Sequence, residues 1–220
     1  MKRNLTELVF ILDKSGSMAG LEADTIGGYN AMLAKQKKEE GIATVTTVTT
    51  VLFNHEYELL HDRINVRGIS SITEKEYEVG GTTALLDAIG STIQKIGNAQ
   101  KRTMEDERAS KVLFVITTDG MENASCEYTY DKIKSMIAQQ KEKCGWEFIF
   151  LGANIDAIST AAKFGINEEF AVEYHADNEG TQLNYQALNE AVTSFRKGKK
   201  IDRTWKKDIE EDFQRRSFRK

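Results

Sequence analysis

Three runs of unbroken apolar residues punctuate the chain: Leu8-Val9-Phe10-Ile11-Leu12, Val112-Leu113-Phe114-Val115-Ile116 and Phe148-Ile149-Phe150-Leu151. Runs this short, rich in β-branched and aromatic side chains, predict central strands covered on both faces, as in a parallel sheet. Each stops abruptly, at Asp13, at Asp119-Gly120 and at Gly152. Between them the apolar spacing turns helical. Ile26, Tyr29, Met32 and Leu33 predict a helix over about 21–40, ended by Gly41. Leu85, Leu86, Ile89 and Ile93 share one face of a second, which Thr82 or Thr83 can cap and which runs to about Ile96. Further helices are expected over about 130–143 (stopped by Gly145), 155–164 and 181–195.

Residues 44–53 are rich in β-branched side chains and are followed by Tyr57-Glu58-Leu59-Leu60, with Asn54 and His55 between them. That pattern predicts a hairpin, so one strand runs antiparallel at a sheet edge. Phe170-Ala171-Val172 supplies another edge strand. Strands alternating with helices imply crossover units. The expected fold class is α/β: a doubly wound, mainly parallel six-stranded sheet with one antiparallel edge strand and helices on both faces. No linker composition and no internal repeat breaks the pattern. The economical division is one domain over 1–198 and a basic C-terminal helix or tail over 199–220.

Composition adds exclusions. A 40% apolar share rules against disorder. No window approaches the roughly 18–20 apolar residues of a membrane helix, and the apolar run after the basic start is too short for a signal-peptide core. A cytoplasmic protein with no membrane insertion is expected. Cys126 and Cys144 are the only cysteines, and His55, His61 and His175 stand apart from them, so Cys/His metal spacing is absent. The net charge of −4 hides an asymmetry: residues 196–220 carry eleven Lys or Arg against five Asp or Glu, a net +6, leaving −10 for the rest. A basic tail is able to meet nucleic acid, but stacking aromatics are sparse there, and a solvated helix or frayed end is the expectation. The chain has no proline, so Gly, Asn, Asp and Ser must make its turns.

The strongest chemical signal is Asp13-Lys14-Ser15-Gly16-Ser17, directly after the first buried strand. In an open parallel sheet, loops at the carboxyl ends of the strands line the crevice where strand order reverses. Asp119 leaves another apolar strand in the same way, and Gly80-Gly81-Thr82-Thr83 stands at the start of a helix. Oxygen donors of this kind suit Mg²⁺, with Mn²⁺ or Ca²⁺ as alternatives, rather than zinc. Two carboxylates and several neutral hydroxyls leave such an ion electrophilic, ready to take one acidic group from outside.

Taken together, the three elements resemble the von Willebrand factor A family. Asp13-Lys14-Ser15-Gly16-Ser17 matches the family's Asp-x-Ser-x-Ser, Gly80-Gly81-Thr82-Thr83 its threonine loop, and Ile116-Thr117-Thr118-Asp119-Gly120 its Ile-Thr-Asp-Gly element. The resemblance covers roughly 5–195, and the chain looks similar to small cytosolic bacterial members, including those associated with tellurite resistance and stress. It implies a metal-ion-dependent adhesion site made of Asp13, Ser15, Ser17, Thr82 and Asp119, with Thr83 in reserve for Thr82. Ser15 and Ser17 would ligate directly, and Thr82, Asp13 and Asp119 directly or through water. The expected function is a binding module, not an enzyme, whose ion accepts an Asp or Glu of a protein partner.

Two rivals stand beside it. A metal-dependent phosphatase or phosphotransferase is able to use an Asp at the end of the first strand as phosphoryl acceptor. Haloacid-dehalogenase-like enzymes place a second Asp two residues later, where this chain has Ser15, and no phosphate-binding glycine loop occurs. The other rival is a scaffold with a structural metal and a recruiting tail.

Overall fold

Alternation along the first strand sets the layers. Leu8, Phe10 and Leu12 enter one hydrophobic core, Val9 and Ile11 the other, one on each face of the sheet. The computed structural model describes residues 4–39, 41 and 44–217. The expected last residue of the first helix, Glu40, and the ends of the chain, 1–3 and 218–220, lie outside them.

Six strands form one sheet: β1 (Asn4–Asp13), β2 (Thr44–Phe53), β3 (Tyr57–Asn65), β4 (Lys111–Thr118), β5 (Glu147–Ala153) and β6 (Ala171–Tyr174). Their order is β3-β2-β1-β4-β5-β6, and only β3 runs antiparallel, paired with β2. Helices α1 (Glu22–Lys38), α2 (Leu85–Arg102), α3 (Tyr130–Cys144), α4 (Ala157–Lys163), α5 (Asn178–Arg196) and α6 (Lys207–Ser217) complete the fold. Buried side chains of α1, α5 and α6 join the core of Leu8 and Phe10, and those of α2, α3 and α4 join the core of Val9 and Ile11. The doubly wound sheet with one antiparallel edge strand is the architecture that the apolar pattern predicts. Chain order reverses between β1 and its neighbours β2 and β4, so the carboxyl ends of β1 and β4 flank the switch point.

Two local expectations change. Neither Thr82 nor Thr83 caps α2: Ala84 holds the cap position without a side-chain bond, and the Leu86 amide donates instead to Glu122 at 2.9 Å. The cap is thus borrowed from the loop after β4, a contact no local pattern encodes. Nor is the basic C-terminal segment a solvated end. Ile201, Trp205 and Ile209 are buried in the same core as Leu8 and Phe10, and α6 packs on β6 and α5. Its cations are used internally: Lys206, with no side-chain exposure, donates to the carbonyls of Glu168 and Ala171 and pairs with Glu210 at 2.9 Å. Arg203, Lys207, Arg215 and Arg216 also pair with carboxylates.

Candidate metal centre

At the end of β1, Asp13 is 1% exposed. Its Oδ1 accepts the Ser15 amide at 2.7 Å, and its Oδ2 accepts the Thr118 hydroxyl at 2.5 Å. The first bond folds the loop back on itself and turns Ser15 and Ser17 to the same side as the end of β4. There the Ser17 hydroxyl donates to Asp119 Oδ1 at 2.6 Å and lies 3.2 Å from the Ser15 hydroxyl. Asp119 Oδ2 is buried and has no hydrogen-bond partner among the described residues.

A third loop closes on the first through its backbone. Gly80 N donates to Lys14 O at 2.9 Å, and Gly16 N donates to Gly81 O at 3.0 Å. Gly81 is required at this crossing: its φ is +79°, and a Cβ there would stand 2.2 Å from His55 Nδ1. Left-handed backbone costs a non-glycine residue about 1–2 kcal/mol. Gly81→Ala is therefore expected to lower the melting temperature by roughly 2–8 °C, at about 2–4 °C per kcal/mol for a domain of this size. The His55 side chain is half exposed and able to swing aside, so the backbone strain is what persists. Thermal unfolding followed by circular dichroism measures it, and an unchanged midpoint would contradict the argument.

Of the two adjacent threonines, Thr82 is exposed and Thr83 is 3% exposed. A Cβ on Gly120 would meet Ser17 Oγ at 3.0 Å, Thr83 Oγ1 at 3.2 Å and Ser15 Oγ at 3.9 Å. Three hydroxyls thus gather around one backbone position that carries no side chain. The geometry brings Asp13, Ser15, Ser17 and Asp119 together with Thr83, and leaves Thr82 at the surface.

The electrostatics of this cluster are unfavourable without a cation. Burial pushes the Asp13 carboxyl up to about 6, against the hydrogen bonds from Ser15 and Thr118 that hold it down. Burial also raises Asp119, opposed by the Ser17 hydroxyl. Among the described residues neither has a Lys or Arg partner; the nearby Lys14 ammonium pairs with Glu58 at 2.6 Å. Two buried carboxylates, one of them with an orphaned oxygen, and three hydroxyls fit a hard divalent cation. Among the described residues no group of three or more His, Cys, Asp or Glu able to hold a metal ion occurs, here or elsewhere, so an ion at this site would rest on hydroxyls as well as on the two carboxylates.

Several residues support the site from outside the predicted ligand set. Tyr77 donates its hydroxyl to the Asp13 carbonyl. Asn54, which reads as a plain turn residue, donates from Nδ2 to Gly80 O at 2.8 Å and accepts the Ala84 amide on its carbonyl, also at 2.8 Å. Thr118 holds Asp13, and Asn123 binds Thr83.

No protein-family model and no curated protein matches the chain. Its fold has many solved counterparts. The von Willebrand factor domain of the type V pili tip protein Mfa5 from Porphyromonas gingivalis aligns with TM-score 0.60 and 10% identity, over 86% of this chain and 95% of that one. Manganese-loaded TRAP protein of Plasmodium vivax aligns with TM-score 0.57 and 18% identity, over 83% and 72%. The ArnB paralog VWA2 from Sulfolobus acidocaldarius aligns with TM-score 0.51 and 20% identity, over 86% and 45%. The chain spans less than half the length of the Sulfolobus protein, as it does of several other matched structures. These likenesses, with the strand order and loop placement above, establish that the chain has the von Willebrand factor A fold.

Proposed function

We propose that this chain is a metal-dependent protein-binding module in which Asp13, Ser15, Ser17, Thr83 and Asp119 hold one divalent cation, Mg²⁺ first and Mn²⁺ or Ca²⁺ as alternatives. The observation that carries the reading is the gathering of three hydroxyls around Gly120, joined by hydrogen bonds to the loops of Asp13 and Asp119, two buried carboxylates with no cationic partner among the described residues. When bound, the ion supplies an electrophilic position for a carboxylate of a partner. The residues of the chain do the rest. Ser15, Ser17 and Thr83 offer neutral oxygens, which leave most of the ion's charge unquenched. Asp13, fixed by Ser15 and Thr118, and Asp119, fixed by Ser17, supply the negative charge. Met121, 76% exposed just beyond Asp119, offers an apolar contact at the rim.

Manganese-loaded TRAP, of the same fold, supports divalent metal use as a property this architecture accommodates. A phosphoryl-transfer reading lacks a second carboxylate at Ser15 to act as acid and base. A cytosolic setting fits two exposed thiols, Cys126 and Cys144, that are not bridged. No helix among the described residues is long and apolar enough to cross a membrane. The pairing of the C-terminal cations favours a protein partner over nucleic acid.

Affinity capture with the immobilised chain tests this. Partner retention is expected in Mg²⁺, absent in EDTA, and absent with Asp119→Ala in Mg²⁺; retention that persists in EDTA would contradict it. Thr83→Ala should weaken Mn²⁺ binding more than tenfold and Thr82→Ala should leave it unchanged, because only Thr83 is buried beside Ser17. Equal losses by calorimetry would return Thr82 to the ligand set.

A further inference from the structure

The loop after Asp119 grips the threonine loop from outside the ligand set. Asn123 Oδ1 accepts the Thr83 amide at 2.9 Å, and the Asn123 amide donates to the Thr83 carbonyl at 3.1 Å. Both main-chain groups of Thr83 are thereby held by one residue 40 positions away. Thr83 precedes the first turn of α2, so helix bonding does not fix its peptide groups. Glu122 fastens the same loop to the helix. Its Oε2 accepts the Leu86 amide at 2.9 Å and the Ser125 hydroxyl at 2.7 Å, while its Oε1 accepts the amides of Ala124 at 2.9 Å and Ser125 at 2.7 Å. Both oxygens of Glu122 are committed to the loop and the helix start.

We propose that Asn123 is a positioning residue for the candidate metal centre: by clamping the Thr83 backbone to the loop that carries Asp119, it sets the Thr83 hydroxyl beside Ser17 and Asp119 before any ion arrives. The inference rests on the metal-site reading above. Metal ligands lose affinity when their supports loosen, typically 10–100-fold for a removed hydrogen-bond partner. The clamp acts on a neutral ligand, whose weak pull on the ion cannot by itself organise the loop. Asn123 is exposed, so its removal leaves no buried cavity.

Three proteins decide the matter: wild type, Asn123→Ala and Asn123→Asp. Each is titrated with Mn²⁺ by calorimetry, and amide hydrogen exchange at Thr83 is measured by NMR in EDTA. Asn123→Ala is expected to speed Thr83 exchange and to weaken Mn²⁺ binding roughly tenfold or more. Asn123→Asp keeps the acceptor, so Thr83 stays protected and affinity stays at or above wild type. Unchanged affinity in Asn123→Ala, with wild type binding Mn²⁺, would overturn the positioning role alone. Equal losses in the Ala and Asp variants would also overturn it, because the acceptor would then be irrelevant. A wild-type chain that takes no Mn²⁺ would overturn the metal-site reading and this inference with it. The exchange measurement needs no metal and reads the clamp directly, even if Asn123→Ala proves less stable.

Discussion

Asp13→Asn is expected to raise the melting temperature of the metal-free protein and, at the same time, to remove its response to Mg²⁺ or Mn²⁺. The first half follows from the burial of a carboxylate with no cationic partner. Its folded-state value of about 6 lies above the ordinary 3.8, so the fold prefers the protonated form. The penalty is therefore full above about pH 6 and vanishes as the pH falls below about 4. A shift of roughly two units corresponds to on the order of 3 kcal/mol at neutral pH, or roughly 6–12 °C for a domain of this size. Asparagine is neutral and nearly isosteric. Its carbonyl still accepts from Ser15, and its amide is able to donate to the Thr118 hydroxyl. Wild type in EDTA should gain stability between pH 6 and 4 from this group, and the variant should lack that gain. The second half follows from the loss of a negative ligand. An ion bound at a hundred times its Kd stabilises by about 2.7 kcal/mol, and the variant forfeits that term. Thermal unfolding in EDTA and in Mg²⁺ at two pH values reads both; a metal-free variant that melts below wild type would contradict the electrostatic account.

Removal of residues 199–220 is expected to cost most of the stability of the domain. Ile201, Trp205 and Ile209 are buried in the core that holds Leu8 and Phe10, and Trp205 Nε1 donates to Glu169 O at 2.9 Å. Three such side chains contribute roughly 5–9 kcal/mol at about 1.5–3 kcal/mol each. That is comparable with the whole stability of an ordinary domain. The truncated chain should therefore lose cooperative melting or become insoluble, and β6 would lose the cover that α6 gives it. Circular dichroism melts and soluble yield measure this. A truncated chain that melts within a few degrees of wild type, and captures no partner, would instead support a recruiting tail.

The central strands were legible because both their faces are covered, which demands unbroken apolar runs; β1, β4 and β5 show them. The carboxylates and serines were legible because each follows such a strand. What the local pattern could not resolve was which of two adjacent threonines faces inward. That choice depends on the left-handed turn at Gly81 and on the clamp from Asn123, 40 residues away. Tyr77, held 64 residues from Asp13 in sequence, lies in a loop with no periodicity to mark it. The packing of the C-terminal segment was hidden differently: charges dominate its composition, while Ile201, Trp205 and Ile209 bury it. Local spacing reports which face of an element is covered. It does not report which distant loop supplies a hydrogen bond.

The most direct measurement is a calorimetric titration of Mn²⁺ into the wild-type chain and into Asp13→Ala in parallel. The account predicts binding of one ion by the wild type and none by the variant, with the fold of both intact by circular dichroism. Undiminished Mn²⁺ affinity in Asp13→Ala would contradict it.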